Sequence, residues 1–121
     1  LTVENDDKAT MYSVVDLYEG VYKVIGIPIV FDYHHHRFNT GGLSEEDALE
    51  VAISTWGDVV PVVHYSESRN IEKEDDKIRP QAHSDYVYDY IDTYGNEVDI
   101  MVEAKAKELA VLKYKEVHGI L

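Results

Sequence analysis

The sequence contains no cysteine. That excludes a disulfide framework, a zinc finger and thiol chemistry, and it fits a reducing compartment. No apolar run reaches the roughly 20 residues that a membrane-spanning helix needs, and no signal peptide is visible. Cations are scarce as well: 11 Lys and Arg stand against 24 Asp and Glu, a net charge of −13. A nucleic-acid binder is expected to be basic, so this balance argues against one, although bound divalent cations would offset part of the charge locally. Much of the excess lies in two runs, Glu4-Asn5-Asp6-Asp7 and Glu72-Lys73-Glu74-Asp75-Asp76, whose simplest role is solubility. Two familiar catalytic signatures are also missing. Ser66 lacks a G-x-S-x-G setting, and Gly41-Gly42 lacks the flanking pattern of a phosphate-binding loop.

What is present is a repeat of one pattern. Four short apolar runs each end in a side chain able to bind a metal: Leu1-Thr2-Val3-Glu4, Ile27-Pro28-Ile29-Val30-Phe31-Asp32, Val59-Val60-Pro61-Val62-Val63-His64 and Val98-Asp99-Ile100-Met101-Val102-Glu103. Each is followed, after a loop, by residues with helical periodicity. Strand-then-helix repeated four times predicts parallel strands near residues 1–4, 28–32, 60–64 and 98–102, and in parallel α/β folds the carboxyl ends of the strands carry the chemistry. All four metal-capable groups stand at that same end.

The helices are predicted from caps and spacing. Ser13 caps a stretch Val14–Ile25 that Gly26 stops. Ser44 opens a second helix with Glu45, Glu46 and Asp47 in its first turn, favourable to the helix dipole, and Ala48, Leu49, Ala52, Ile53 and Trp56 as its buried stripe. A short aromatic third helix is expected at about Tyr86–Tyr94. A fourth, from Ala104 to about Val117, is expected to carry Leu109, Leu112 and Val117 on one face. Tyr33–Leu43 and Tyr65–Asp85 are read as long loops on the carboxyl face, where an active site would lie. With 121 residues, four βα units amount to half of a (β/α)8 barrel, whose usual size is about 250 residues. The chain starts at Leu1 with a strand and no initiator Met, and is read as a piece of a longer protein. A half barrel leaves two open parallel edges, so a missing half or a second copy of the chain is the expected partner.

Asp32-Tyr33-His34-His35-His36 brings a carboxylate and imidazoles together at a strand end. Three consecutive His cannot all face one site, so one or two of them are the candidate ligands. His64 closes an apolar strand, where a satisfied core histidine is the plain alternative. His83, before Ser84 and Asp85, could be a solvated residue beside an N-cap. Glu103 could simply compensate a helix dipole, and Glu4 could belong to an acidic loop. Taken together, Glu4, Asp32, a histidine of the triplet, His64, His83 and Glu103 form a mixed nitrogen and oxygen donor set suited to Zn²⁺ or Mn²⁺. Ligands from several strands allow two or more ions, an arrangement suited to phosphodiester hydrolysis.

The segments Glu4-Asn5-Asp6, Phe31-Asp32-Tyr33-His34-His35-His36, His64-Tyr65-Ser66, His83-Ser84-Asp85-Tyr86 and Asp99-Ile100-Met101-Val102-Glu103-Ala104-Lys105 together resemble the C-terminal half of UV-damage endonucleases, the UvdE family, over essentially the whole chain. The resemblance implies a TIM-barrel α/β fold, with residues 1–121 as the C-terminal half of the endonuclease domain. It implies a Mn²⁺-dependent cluster, with Zn²⁺ or Mg²⁺ as alternatives, that nicks UV-damaged double-stranded DNA 5′ to the photoproduct and starts excision repair. Carried over by position, the ligands are Glu4, Asp32, His35, His64, His83 and Glu103, with His34 as the fallback for His35 and with Glu4, Asp32, His64 and Glu103 as the catalytic group. Val62 departs from the family pattern, which often has a lysine two residues before the third-strand histidine. Arg69 and Arg79, on the second long loop, are candidate phosphate contacts. The implied location is intracellular: cytoplasmic in a prokaryote or virus, nuclear in a eukaryote. Two rival readings are a sugar isomerase-like metal enzyme of the same barrel type and a non-catalytic half-barrel.

Overall fold

The computed structural model describes residues 1–120. Its elements, in chain order, are β1 (Val3–Glu4), α1 (Val14–Leu17), a π-helical turn (Tyr18–Tyr22), α2 (Lys23–Ile25), β2 (Ile29–Asp32), α3 (Tyr33–Phe38), α4 (Glu45–Ser54), β3 (Val62–Tyr65), α5 (Arg69–Glu72), β4 (Asp99–Val102) and α6 (Glu108–Val117). The strands form one sheet in the order β1-β2-β3-β4. β1 pairs parallel with β2, and β2 with β3, in the registers Glu4↔Val30 and Asp32↔His64. The Asp99 N–H donates to the Pro61 carbonyl at 2.8 Å and the Glu103 N–H to the Tyr65 carbonyl at 2.9 Å, so β4 runs parallel to β3. All four expected strands are present, in sequence order and with one direction, as right-handed βα units dictate.

The chain divides into two compact units. The first comprises Leu1–His64 and Thr93–Met101, the second Tyr65–Asp92 and the residues from Val102 onward. In the first, Val14, Leu17, Ile29, Val30, Phe31, Ala48, Leu49, Ala52 and Val63 make the core. Ser13 caps α1 in a full capping box with Asp16, and Gly26 ends α2 at φ +72°, a conformation that costs glycine little. Ser44 caps α4 by accepting the Asp47 N–H at 3.1 Å. Ile53 and Trp56, expected in the buried stripe, are only half-buried. Trp56 instead donates its indole N–H to the Ile29 carbonyl at 2.7 Å, which keeps one edge of the ring at the sheet.

Other expectations about the helices fail, each for an identifiable physical reason. Tyr33–Phe38 is a helix, not a loop, because the buried Asp32 carboxylate accepts the His35 N–H at 2.9 Å and caps it. Tyr86–Tyr94 is not a helix. N–H groups at its start and just before it are taken by glutamates of the second unit. Glu72 accepts those of Asp85 and Tyr86 at 2.8 and 3.0 Å, and Glu67 accepts those of Tyr88 and Asp89 at 3.0 and 3.1 Å. Finally, α6 starts four residues late. Lys105 and Ala106 donate to the Ser84 and Asp85 carbonyls at 3.0 Å each, and Lys107 has φ +54°. Ala110 and Tyr114 form its buried face, and the Tyr114 hydroxyl accepts the Ile91 N–H at 2.9 Å. Leu109, Leu112 and Val117, the expected inward face, are exposed.

Candidate metal centre

Paired residues of parallel strands point to the same side of the sheet, and so do residues i and i+2 of one strand. Glu4 is opposite Val30, Val30 is two residues before Asp32, and Asp32 is opposite His64. Strand register therefore puts Glu4, Asp32 and His64 on one face, and the longer glutamate side chain makes up the missing step along β1. These three side chains each offer a donor atom, and the atoms lie within 4.8 Å of one another. His64 Nδ1 is 3.4 Å from Glu4 Oε1. His35, on the first turn of α3, places Nδ1 3.5 Å from both Glu4 Oε2 and Asp32 Oδ2.

Asn5 holds this arrangement together. Its buried side chain donates Nδ2 to the Asp32 carbonyl at 3.0 Å and accepts the Asp32 N–H at Oδ1 at 2.8 Å. β1 is only two residues long, and the Asn5 amide stands in for the peptide group that a longer strand would present to β2. Its own carbonyl lies 2.7 Å from His35 Nδ1. A carbonyl can only accept, so neutral His35 carries its proton on Nδ1 and keeps the lone pair on Nε2, the form a metal ligand requires.

The other two members of the triplet, His34 and His36, are buried and pack against the Phe38 and Phe31 rings, with centroids 5.1 and 5.4 Å apart. Burial lowers the His36 pKa despite the Glu45 charge, as expected for a neutral core histidine. For His35, burial opposes the charged form, but the Asp32 carboxylate, the Asn5 carbonyl and Glu4 outweigh it and raise its pKa. Asp32 is fully buried; burial, reinforced by the neighbouring Glu4 carboxylate, raises its pKa to about 6. Its Oδ2 receives no hydrogen bond. A buried carboxylate oxygen without a donor, beside a second carboxylate and two imidazoles, fits a hard or borderline divalent cation.

His83 and Glu103 belong to the second unit, where they line one cavity of about 420 Å³ with Arg79 and Lys105. His83 is fixed by an antiparallel bridge to Ser68, flanked by bonds from the Arg69 N–H to the Ala82 carbonyl (2.8 Å) and from the Ser84 N–H to the Glu67 carbonyl (2.9 Å). Glu103 directly follows β4. Arg69 opens α5 and is not on a loop; its guanidinium donates to Asp85 Oδ1 at 2.6 Å, and Lys73 pairs with Asp85 Oδ2 at 2.7 Å. Together these cations hold the Asp85 carboxyl below its usual range. Sequence reasoning passed over Asn5 and Lys105. The available signals were a buried-capable amide directly after a very short strand and a lysine two residues beyond a strand-end glutamate.

Comparison with known proteins converges on one family. The sequence profile described as UV-endonuclease UvdE matches residues 1–120. The UV DNA damage endonuclease of Bacillus mycoides (strain KBAB4) is 36% identical over 123 residues, covering 93% of this chain and 36% of that protein. That of Bacillus pumilus (strain SAFR-032) is 37% identical over 127 residues, covering 96% and 37%. The crystal structure of SacUVDE superposes with a TM-score of 0.77 at 32% identity, covering all of this chain and 41% of that one. The chain thus spans little more than a third of the curated relatives it matches. Its parallel four-stranded α/β sheet is the corresponding part of a TIM-barrel-type fold, and the chain belongs to the UV-endonuclease UvdE family.

Proposed function

We propose that the protein carrying this chain is a metal-dependent DNA repair endonuclease that nicks UV-damaged duplex DNA on the 5′ side of the photoproduct, with residues 1–121 forming the C-terminal half of its barrel domain. The observation that carries this reading is the convergence of Glu4, Asp32 and His64 on one face of adjacent parallel strands in a member of this family. The proposed ligand set is Glu4, Asp32, His35, His64, His83 and Glu103, and the proposed ion is Mn²⁺, with Zn²⁺ and Mg²⁺ as alternatives. Two or more ions are expected in the intact protein, because six donors exceed what one ion with room for substrate would take.

Divalent ions bound there would generate hydroxide at neutral pH and stabilise the charge that develops on a phosphodiester. The protein residues prepare for that role. Glu4 and Asp32 supply negative charge that a cation neutralises, Asn5 fixes the Asp32 backbone, and its carbonyl sets the His35 tautomer. The missing half of the barrel, or a second copy of the chain, would supply the rest of the cluster and the surface that reads the lesion.

The test is a nicking gel with irradiated and plain plasmid, run with Mn²⁺ or chelator. The expected result is Mn²⁺-dependent nicking of irradiated DNA by the full-length protein, none by the isolated 121-residue chain, and none by either with chelator. A full-length protein that treats the two plasmids alike but converts an aldose would establish the isomerase reading instead.

A further inference from the structure

Resting on the endonuclease reading, we infer that Arg79 and Lys105 form the phosphodiester-binding wall of the cavity in the second unit, and that Arg69 takes no part in it. With a net charge of −13, attraction for DNA cannot come from the chain as a whole. Among this chain's own side chains, it has to come from cations that are not already paired and that are correctly placed.

Arg69 and Lys73 are committed to Asp85, and Lys23 to Glu19 at 3.0 Å. Arg79 and Lys105 make no ion pair among the described residues, and both line the cavity that His83 and Glu103 line. Local backbone structure brings them there. The Ala82 N–H closes a turn on the Arg79 carbonyl at 3.0 Å, which sets Arg79 just ahead of His83. The Lys105 N–H donates to the Ser84 carbonyl at 3.0 Å, which ties Lys105 to the residue after His83. A cavity containing Glu103 alone would repel a phosphodiester. Two unpaired cations in the same wall reverse that, because a guanidinium grips phosphate oxygens in a fixed fork and an ammonium adds a mobile point charge. Their role is positioning: they hold the backbone anion beside His83 and Glu103.

The experiment measures binding of irradiated and plain duplex oligonucleotides by the full-length protein, as log affinity against log salt between about 50 and 200 mM, for the parent, Arg79→Ala, Lys105→Ala, the double variant and Lys77→Ala. Lys77 is exposed and outside the cavity, so its variant controls for the change in net charge. Each lost phosphate contact flattens the slope by about 0.9. The expected result is a slope flatter by about 1 in each single variant and about 2 in the double, on both duplexes, with Lys77→Ala matching the parent. Unchanged slopes in the double variant, or equal flattening by Lys77→Ala, would overturn the inference. So would absence of DNA binding by the parent. Inorganic phosphate provides the remaining arm: competition by phosphate that disappears in the double variant while the DNA slope stays constant would assign the cavity to a free anion and overturn the DNA role. Nicking reports separately. Flattened slopes in a protein that never nicks irradiated DNA would leave this inference standing and remove the endonuclease reading; normal nicking with parental slopes would do the reverse.

Discussion

Replacing Asp32 with alanine is expected to lower Mn²⁺ affinity by at least about a hundredfold, more than the 10–100-fold that loss of an outer-shell partner costs. Asp32 has two separate tasks. Oδ1 caps α3 by accepting the His35 N–H, and Oδ2 is the buried oxygen left without a donor. Alanine removes both, and the cap alone is worth about 1 kcal/mol. Asn keeps the cap and removes the negative charge, so Asp32→Asn should retain parental folding while losing most of the metal affinity. Calorimetric titration with Mn²⁺, beside a denaturation curve for each variant, separates the two effects. Parental Mn²⁺ affinity in both variants would remove Asp32 from the ligand set.

The same residue sets the pH dependence. Burial, with Glu4 alongside, raises the Asp32 pKa from 3.8 to about 6. Below pH 6 a cation must displace a proton, so Mn²⁺ affinity should fall as pH drops from 7 to 5. The metal-free protein behaves in the opposite sense. Its folded state holds the proton more tightly than the unfolded chain, so stability declines as pH rises from about 4 to 6. Asp32→Asn should flatten that decline.

Replacing Asn5 with alanine is expected to cost about 2–6 kcal/mol of stability. Two buried backbone groups of Asp32 lose their partner at once, and each unsatisfied group costs about 1–3 kcal/mol. Metal affinity should fall with it, because the same residue orients Asp32 and His35. Urea denaturation measures the first effect. A loss below about 0.5 kcal/mol would show that the strand end holds itself without the clamp.

The strands were readable because each is a short apolar run ended by a polar group, and the parallel pattern then puts those ends together. Ser13, Ser44 and Gly26 marked helix boundaries for the same local reason: their preference is a property of single residues and their neighbours. The errors came from interactions distant in sequence. Tyr86–Tyr94 has helical spacing, but Glu67 and Glu72 capture N–H groups of its first half from 14 to 22 positions away. The apolar spacing of α6 does not reveal that the buried side is Ala110 and Tyr114, since both alternatives have helical period. The histidine triplet left its ligand open. Only the cap at Asp32, which turns 33–38 into a helix, sends His34 and His36 into packing and His35 toward the carboxylates. Arg69 and Arg79 looked equivalent in the sequence. The Asp85 pair, brought together by folding, distinguishes them.

The metal centre itself is tested most directly by crystals of the full-length protein soaked in Mn²⁺ and measured for anomalous scattering. The arrangement at the strand ends predicts a Mn²⁺ peak bounded by Glu4, Asp32 and His64, in coordination contact with the Asp32 oxygen that receives no hydrogen bond, and the loss of that peak in Asp32→Asn. Saturating Mn²⁺ with no peak at these three residues, or a peak that persists unchanged in Asp32→Asn, would contradict it.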